Sequence, residues 1–162
     1  MKKLFLLLFL VINVFSYDIS TTKAFKKILK CEDIAGVEEN IKNGNPQVCI
    51  DAAILYKKQQ QLLPDEKKYY GEAYYNAGII YYFGVKYQNK EKAFQMFNKA
   101  YKVDYSSSDL FNILGICYKT GRGTTINKFK AYKFYIKSAK MGNEYAQKNL
   151  DILCKESSWA CK

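Results

Sequence analysis

Two short runs in this sequence carry the residue types of an acylating serine site. Ser20-Thr21-Thr22-Lys23 fits S-x-x-K, which pairs a serine nucleophile with a lysine, and Lys119-Thr120-Gly121 reads K-T-G. The third element of that chemistry, S-D-N, does not occur, and Ser108-Asp109-Leu110 falls short of it. Such a K-T-G belongs on a strand beside the nucleophile, whereas this one closes a helical segment. Ser20 stands where order is least expected. Both matches read as chance. The chain contains no histidine, which removes the usual general base, the usual zinc ligand and any Ser-His or Cys-His dyad. Its five cysteines, Cys31, Cys49, Cys117, Cys154 and Cys161, show no C-x2-C spacing, so neither a metal nor another cofactor is expected. Nothing in these residues requires an enzyme.

The cysteines fit an oxidising compartment, and the N-terminus predicts how the chain gets there. Lys2 and Lys3 precede an apolar run from Leu4 to Val14, and Val14-Phe15-Ser16 suits cleavage after Ser16. The run is far shorter than the roughly 20 residues a membrane span needs. A signal peptide over residues 1–16 is therefore expected, followed by one domain over 17–162. The product is exported, to the periplasm or beyond, with no stable membrane anchor after cleavage. An odd number of cysteines leaves at least one thiol free or paired with another molecule.

The formal net charge is +11, from 26 basic and 15 acidic residues, with Arg122 the sole arginine. An anionic partner would be attracted to such a chain. The lysines are scattered singly or in adjacent pairs rather than gathered in a block, which favours a solvated basic surface. No nucleic-acid partner is expected, while an acidic protein or peptide stays open.

The elements that must position all of this repeat. Asn76-Ala77-Gly78-Ile79-Ile80-Tyr81-Tyr82-Phe83-Gly84 aligns with Ile113-Leu114-Gly115-Ile116-Cys117-Tyr118-Lys119-Thr120-Gly121, so Gly78, Ile79, Tyr81 and Gly84 each recur 37 residues on. Downstream, Ala93, Phe97 and Lys99 match Ala131, Tyr135 and Lys137 at an offset of 38, with one residue inserted near Gly123. The spacing within each unit is helical: Tyr70, Ala73, Tyr74, Ala77 and Tyr81 share a face, as do Ala93, Phe97 and Ala100. Glycine inside a helix costs about 1 kcal/mol against alanine, so Gly78 and Gly115 predict a neighbouring helix pressed against a position with no room for Cβ. Gly84 and Gly121 are expected to end their helices in left-handed geometry. Earlier in the chain, helices are expected over 23–30, 33–41 and 49–60, with breaks at Asn43-Gly44-Asn45 and Leu62-Leu63-Pro64-Asp65. Cys154 and Cys161 would lie about 10.5 Å apart along one continuous helix. That is too far for a bridge, so pairing them demands a break near Ser157-Ser158.

Gly-x2-Tyr-x2-Gly, a short loop, Lys-Ala-x3-Tyr/Phe-x-Lys-Ala and a Gly-Asn turn resemble the Sel1-like repeat, a relative of the tetratricopeptide repeat. The resemblance covers residues 71–107, where Tyr101 takes a usually small position, and 108–144, with 145–162 as a C-terminal cap in which Asp151 and Cys154 replace the glycine and tyrosine. It implies an all-α fold, an α-solenoid of antiparallel helix pairs, in which Gly78, Tyr81, Gly84, Ala93, Gly115, Tyr118, Gly121, Ala131 and Tyr135 are structural. It also implies a surface that binds protein or peptide partners. Tyr82, Tyr87 and Tyr105 fall off the packing face and are the expected exposed contacts. Export, charge and terminal motif further resemble the secreted cysteine-rich (Hcp) branch, in which closely spaced cysteines staple the repeats. That likeness implies bridges Cys31–Cys49 and Cys154–Cys161, with Cys117, at the position of Ile80, left buried; a Cys117–Cys154 bridge stays as the alternative. The branch is also linked to penicillin binding and weak β-lactam hydrolysis, which makes a β-lactamase-type hydrolase the second functional class.

Overall fold

A computed structural model describes residues 27, 30–35, 38–59 and 67–161. The expected signal peptide, the Ser20–Lys23 run and the break at Leu62–Asp65 lie outside the described residues. Within them the chain is helical and carries no strand. Helical residues 30–35 are followed by α1 (Glu38–Asn43), α2 (Gln47–Gln59), α3 (Lys67–Phe83), α4 (Lys90–Lys102), α5 (Ser108–Thr120), α6 (Lys128–Lys140), α7 (Glu144–Glu156) and a 3-10 turn, Ser158–Cys161. The most extensive packing joins α3 to α4 and α5 to α6, which are the two helix pairs of an α-solenoid.

The helices start where short polar side chains can cap them. Asn89, Asn127 and Asn143 each accept a hydrogen bond from the backbone N–H three residues on, and Ser107 does the same for α5. Each such cap contributes about 1 kcal/mol against alanine. Asn89 and Asn127 open the second helix of each pair, so the repeat extends to its caps.

Between paired helices the fit is tight. A Cβ on Gly78 would lie 2.5 Å from Phe97 Cδ1, and one on Gly115 would lie 2.5 Å from Tyr135 Cδ1. The same helix–ring contact therefore closes both pairs. Phe97 is fully buried, and removing a side chain of that size from water stabilises the fold by roughly 1.5–3 kcal/mol. Ser138 sits in the same layer, and its hydroxyl donates to the Ser108 carbonyl at 2.6 Å, which ties α6 to the start of α5.

Of the two glycines expected to end helices in left-handed geometry, one does so and one does not. Gly121 is left-handed at φ 75° and donates its N–H to the Cys117 carbonyl, as a helix terminator should. Gly84 is not left-handed. It is small because a Cβ would press first on the Ile80 carbonyl of its own helix and then, at 3.0 Å, on the Ile41 carbonyl of α1. That helix is held there as the Val85 and Lys86 N–H groups both donate to the Lys42 carbonyl. Gly123, in the loop that carries the inserted residue, lies against the start of α4, where a Cβ would meet the Lys90 backbone carbon at 2.6 Å. The longer loop thus serves as an inter-repeat contact.

Both cysteine pairs lie at disulfide distance. Cys31 and Cys49 have Cα atoms 4.9 Å apart and join residues 30–35 to α2. Cys154 and Cys161 reach 5.6 Å because α7 ends at Glu156 and the chain folds back through the 3-10 turn. The cap is therefore a helix plus a stapled turn, with Ala160 buried and Trp159 half exposed against Phe129 at 5.0 Å between ring centroids. Cys117 is unpaired and buried.

Candidate interaction surface

Among the described residues, those marked for chemistry do not assemble a reaction site. Lys119 pairs with Glu156 at 3.2 Å, the Thr120 hydroxyl donates back to the Ile116 carbonyl at 2.7 Å, and Gly121 caps the helix. The K-T-G triplet is a helix terminus. Cys117 shares the layer of Tyr135, and burial pushes its thiol up to about 12, opposed in part by Arg122 and Lys90. A thiol held that high is neutral at physiological pH and is a poor nucleophile. Burial also raises the Tyr135 and Tyr75 hydroxyls.

Of the three tyrosines expected at the surface, Tyr82 is a correction: only 4 % of it is exposed. Its hydroxyl accepts from Arg122 Nη1 at 2.7 Å, and Lys90 Nζ lies 4.2 Å from its ring centroid. Two cations, Arg122 from a loop and Lys90 from the first residue of α4, fold over a ring that helical periodicity alone places in solvent. Tyr87 is half-buried, with Lys86 Nζ 5.4 Å from its ring centroid. Tyr105 is half-buried too, because Gly71 makes room for it: a Cβ there would lie 2.5 Å from Tyr105 Cβ. Its ring meets Tyr75 at 5.7 Å, and burial, then Glu72, raises its hydroxyl pKa.

The other repeat residues are structural in position. Ala93 and Ala131 are fully buried. Tyr81 is half-buried with Lys92 Nζ 5.7 Å from its ring centroid, and Tyr118 stacks on Phe134 at 5.7 Å with 5° between planes. Tyr118 and Phe134 belong to an aromatic seam that continues through Tyr101 and Phe111.

That seam ends in a cavity of about 440 Å³, lined by Tyr101, Lys102, Asp104, Tyr105, Ser106, Phe111 and Lys137. It sits where the first repeat departs from the second. Thirty-eight residues on from Tyr101, Asp104 and Tyr105 stand Ala139, Gly142 and Asn143. Gly142 is left-handed at φ 86°, and Asp104 adopts the same geometry at φ 61° without being glycine. The turn is equivalent in its bonds, since Tyr105 N–H donates to the Ala100 carbonyl as Asn143 N–H does to Ser138. A left-handed non-glycine residue costs roughly 1–2 kcal/mol. In the second repeat Asn143 itself caps the next helix, whereas in the first Tyr105 and Ser106 intervene before the cap at Ser107.

The cavity is cationic on one wall. Lys137 Nζ lies 5.2, 5.5 and 5.9 Å from the ring centroids of Tyr101, Phe111 and Phe134, and donates to the Tyr101 hydroxyl at 3.2 Å. Sequence reasoning marked Tyr101 as an irregularity and Tyr105 as a contact, but missed Lys137 and Asp104. The left-handed aspartate at a glycine position was the available signal.

The family model of the Sel1 repeat matches residues 71–105 and 112–143, which span α3–α4 and most of α5–α6. No curated protein matches the chain significantly.

Proposed function

We propose, since this chain is a Sel1 repeat protein, that it is an exported binding module holding a protein or peptide partner at the closing turn of its first repeat. Sel1 repeats mediate protein–protein interaction, and stacked helix pairs offer an extended surface for it. The observation that carries the assignment to this turn is the 440 Å³ cavity at Tyr101, Asp104 and Tyr105, built by residues that replace the small ones of the second repeat. Strained backbone of this kind persists where the surroundings over-determine it and concentrates at functional sites.

Cysteine pairs at disulfide distance suit an oxidising compartment, and among the described residues no helix is long and apolar enough to cross a membrane. The formal charge of +11, which falls by two when Lys2 and Lys3 leave with the expected signal peptide, favours an acidic partner. The hydrolase reading gains nothing from Lys119 and Thr120, both of which are engaged at a helix end.

The test starts with capture on immobilised oxidised protein from envelope and culture-supernatant extracts, with a Tyr101→Ala column as control. The retained partner is then purified and its kinetics measured. Raising ionic strength should slow association while changing dissociation little, and Tyr101→Ala should speed dissociation about tenfold. Equal retention on the two columns, or nitrocefin turnover that follows the folded protein, would remove this function.

A further inference from the structure

The cavity at the first repeat's closing turn says which group of a partner it can hold. Lys137 and Lys102 both line it, and among the described residues neither is in an ion pair. The single acid in the lining is Asp104, so the wall keeps an excess of positive charge. Lys137 is also held in place. Its ammonium lies near three aromatic rings and donates to the Tyr101 hydroxyl, which leaves two further N–H donors for a guest. Around that cation the wall is aromatic, from Tyr101, Tyr105 and the largely buried Phe111. An oriented ammonium beside apolar surface suits a carboxylate carried on a short aliphatic stem.

We infer that this cavity takes the side-chain carboxylate of a glutamate or aspartate within an extended partner segment, with Lys137 as the charge partner and Tyr101 and Phe111 against the stem. The inference rests on the proposed binding role and specifies its chemistry. An internal acidic side chain is favoured over a chain terminus because the cavity is solvent-open on its Lys102–Ser106 side, so a segment can continue past it in both directions. Asp104 lies in the same lining and opposes the guest. Its negative charge weakens binding, and its removal strengthens it.

The test uses the oxidised full-length protein and four peptides, with binding followed by amide chemical shifts. The first is acetyl-Gly-Leu-Glu-Leu-Gly-amide. The second and third replace Glu by Gln or by Lys, and the fourth is the Gln peptide with a free C-terminal carboxylate. The Glu peptide should bind about fivefold tighter than each of the others, as expected for one solvent-accessible charge pair. Shifts should centre on residues 101–106, 111 and 137. Lys137→Gln should reduce the Glu peptide to the level of its Gln twin, and Asp104→Asn should tighten it severalfold. Indistinguishable Glu and Gln peptides, including no binding by either, would overturn the inference. So would tighter binding of the free-acid or Lys peptide, or an unchanged affinity in Lys137→Gln. If the purified partner still depends on Tyr101 while the Glu peptide shows no preference, the surface stands and the carboxylate assignment falls.

Discussion

Gly115→Ala tests the packing of the helix pairs, because two known effects of opposite sign meet there. Alanine in a helix interior is favoured over glycine by about 1 kcal/mol. Against this, the new Cβ would lie 2.5 Å from both Tyr135 Cδ1 and Cε1, where an ordinary carbon contact is about 3.5–4.0 Å. The ring would have to retreat by about 1 Å, and Tyr135 is 1 % exposed within a close-packed layer. Overpacking of this severity costs about 3 kcal/mol. The net loss is about 2 kcal/mol, or a fall in Tm of about 4–8 °C for a chain of this size. Urea unfolding of a double-mutant cycle with Tyr135→Ala isolates the cause. Tyr135→Ala alone should cost about 3–5 kcal/mol. In that background Gly115→Ala should become stabilising by up to about 1 kcal/mol, a coupling of about 3 kcal/mol between the two sites. If Gly115→Ala costs the same in both backgrounds, or stabilises the parent, the close contact does not explain the glycine.

Further outcomes follow from particular contacts. Asp104→Gly should stabilise the protein by about 1 kcal/mol by relieving the left-handed aspartate, measured by thermal melting; a loss of stability would mean that the side chain holds the turn. Cys117 should resist alkylation in the native protein at pH 8 and react fully in denaturant. Its folded pKa lies above the ordinary 9.0, so its contribution to stability is present below pH 9 and is lost as pH rises toward 12. Cys117→Ala should flatten that alkaline decline, and an unchanged slope would clear the thiol of responsibility. Cys154→Ser should cost about 2.5 kcal/mol from loop entropy, and disrupting Cys31–Cys49 about 3.2 kcal/mol. Only the former should shift the emission of Trp159, the sole tryptophan, whose turn the 154–161 bridge closes.

The helix pairs were legible in the sequence because their packing rule is written in spacing. Gly78 and Gly115 recur with the aromatic rings that press on them; the caps Asn89 and Asn127 recur too, but were recognised only from the structure. The fold-back between Cys154 and Cys161 followed from helix rise once the likeness to the cysteine-rich branch implied that the two pair. Tyr82 was misplaced because its cover comes from Arg122, 40 residues away in the next repeat's loop, and from Lys90. The periodicity of the helix that carries Tyr82 holds no information about residues on other segments. Gly84 was assigned to the wrong cause because a Cβ there is opposed by the Ile80 carbonyl of its own helix and by α1, a short element outside the repeat. The cavity was only half visible. Tyr101 stood out against the repeat, but the meaning of Asp104 required its backbone angle, and that of Lys137 required three rings from different helices.

The central claim is that a partner rests on the closing turn of the first repeat. The most direct measurement places a photo-reactive amino acid at the exposed Ser106 in the expressed protein, with a control at the exposed Lys148 on α7. Irradiation should give a discrete adduct at position 106 that weakens when Lys137→Gln is combined with it, and none at 148. Equal adducts at both positions, or an adduct at 148 alone, would contradict the account.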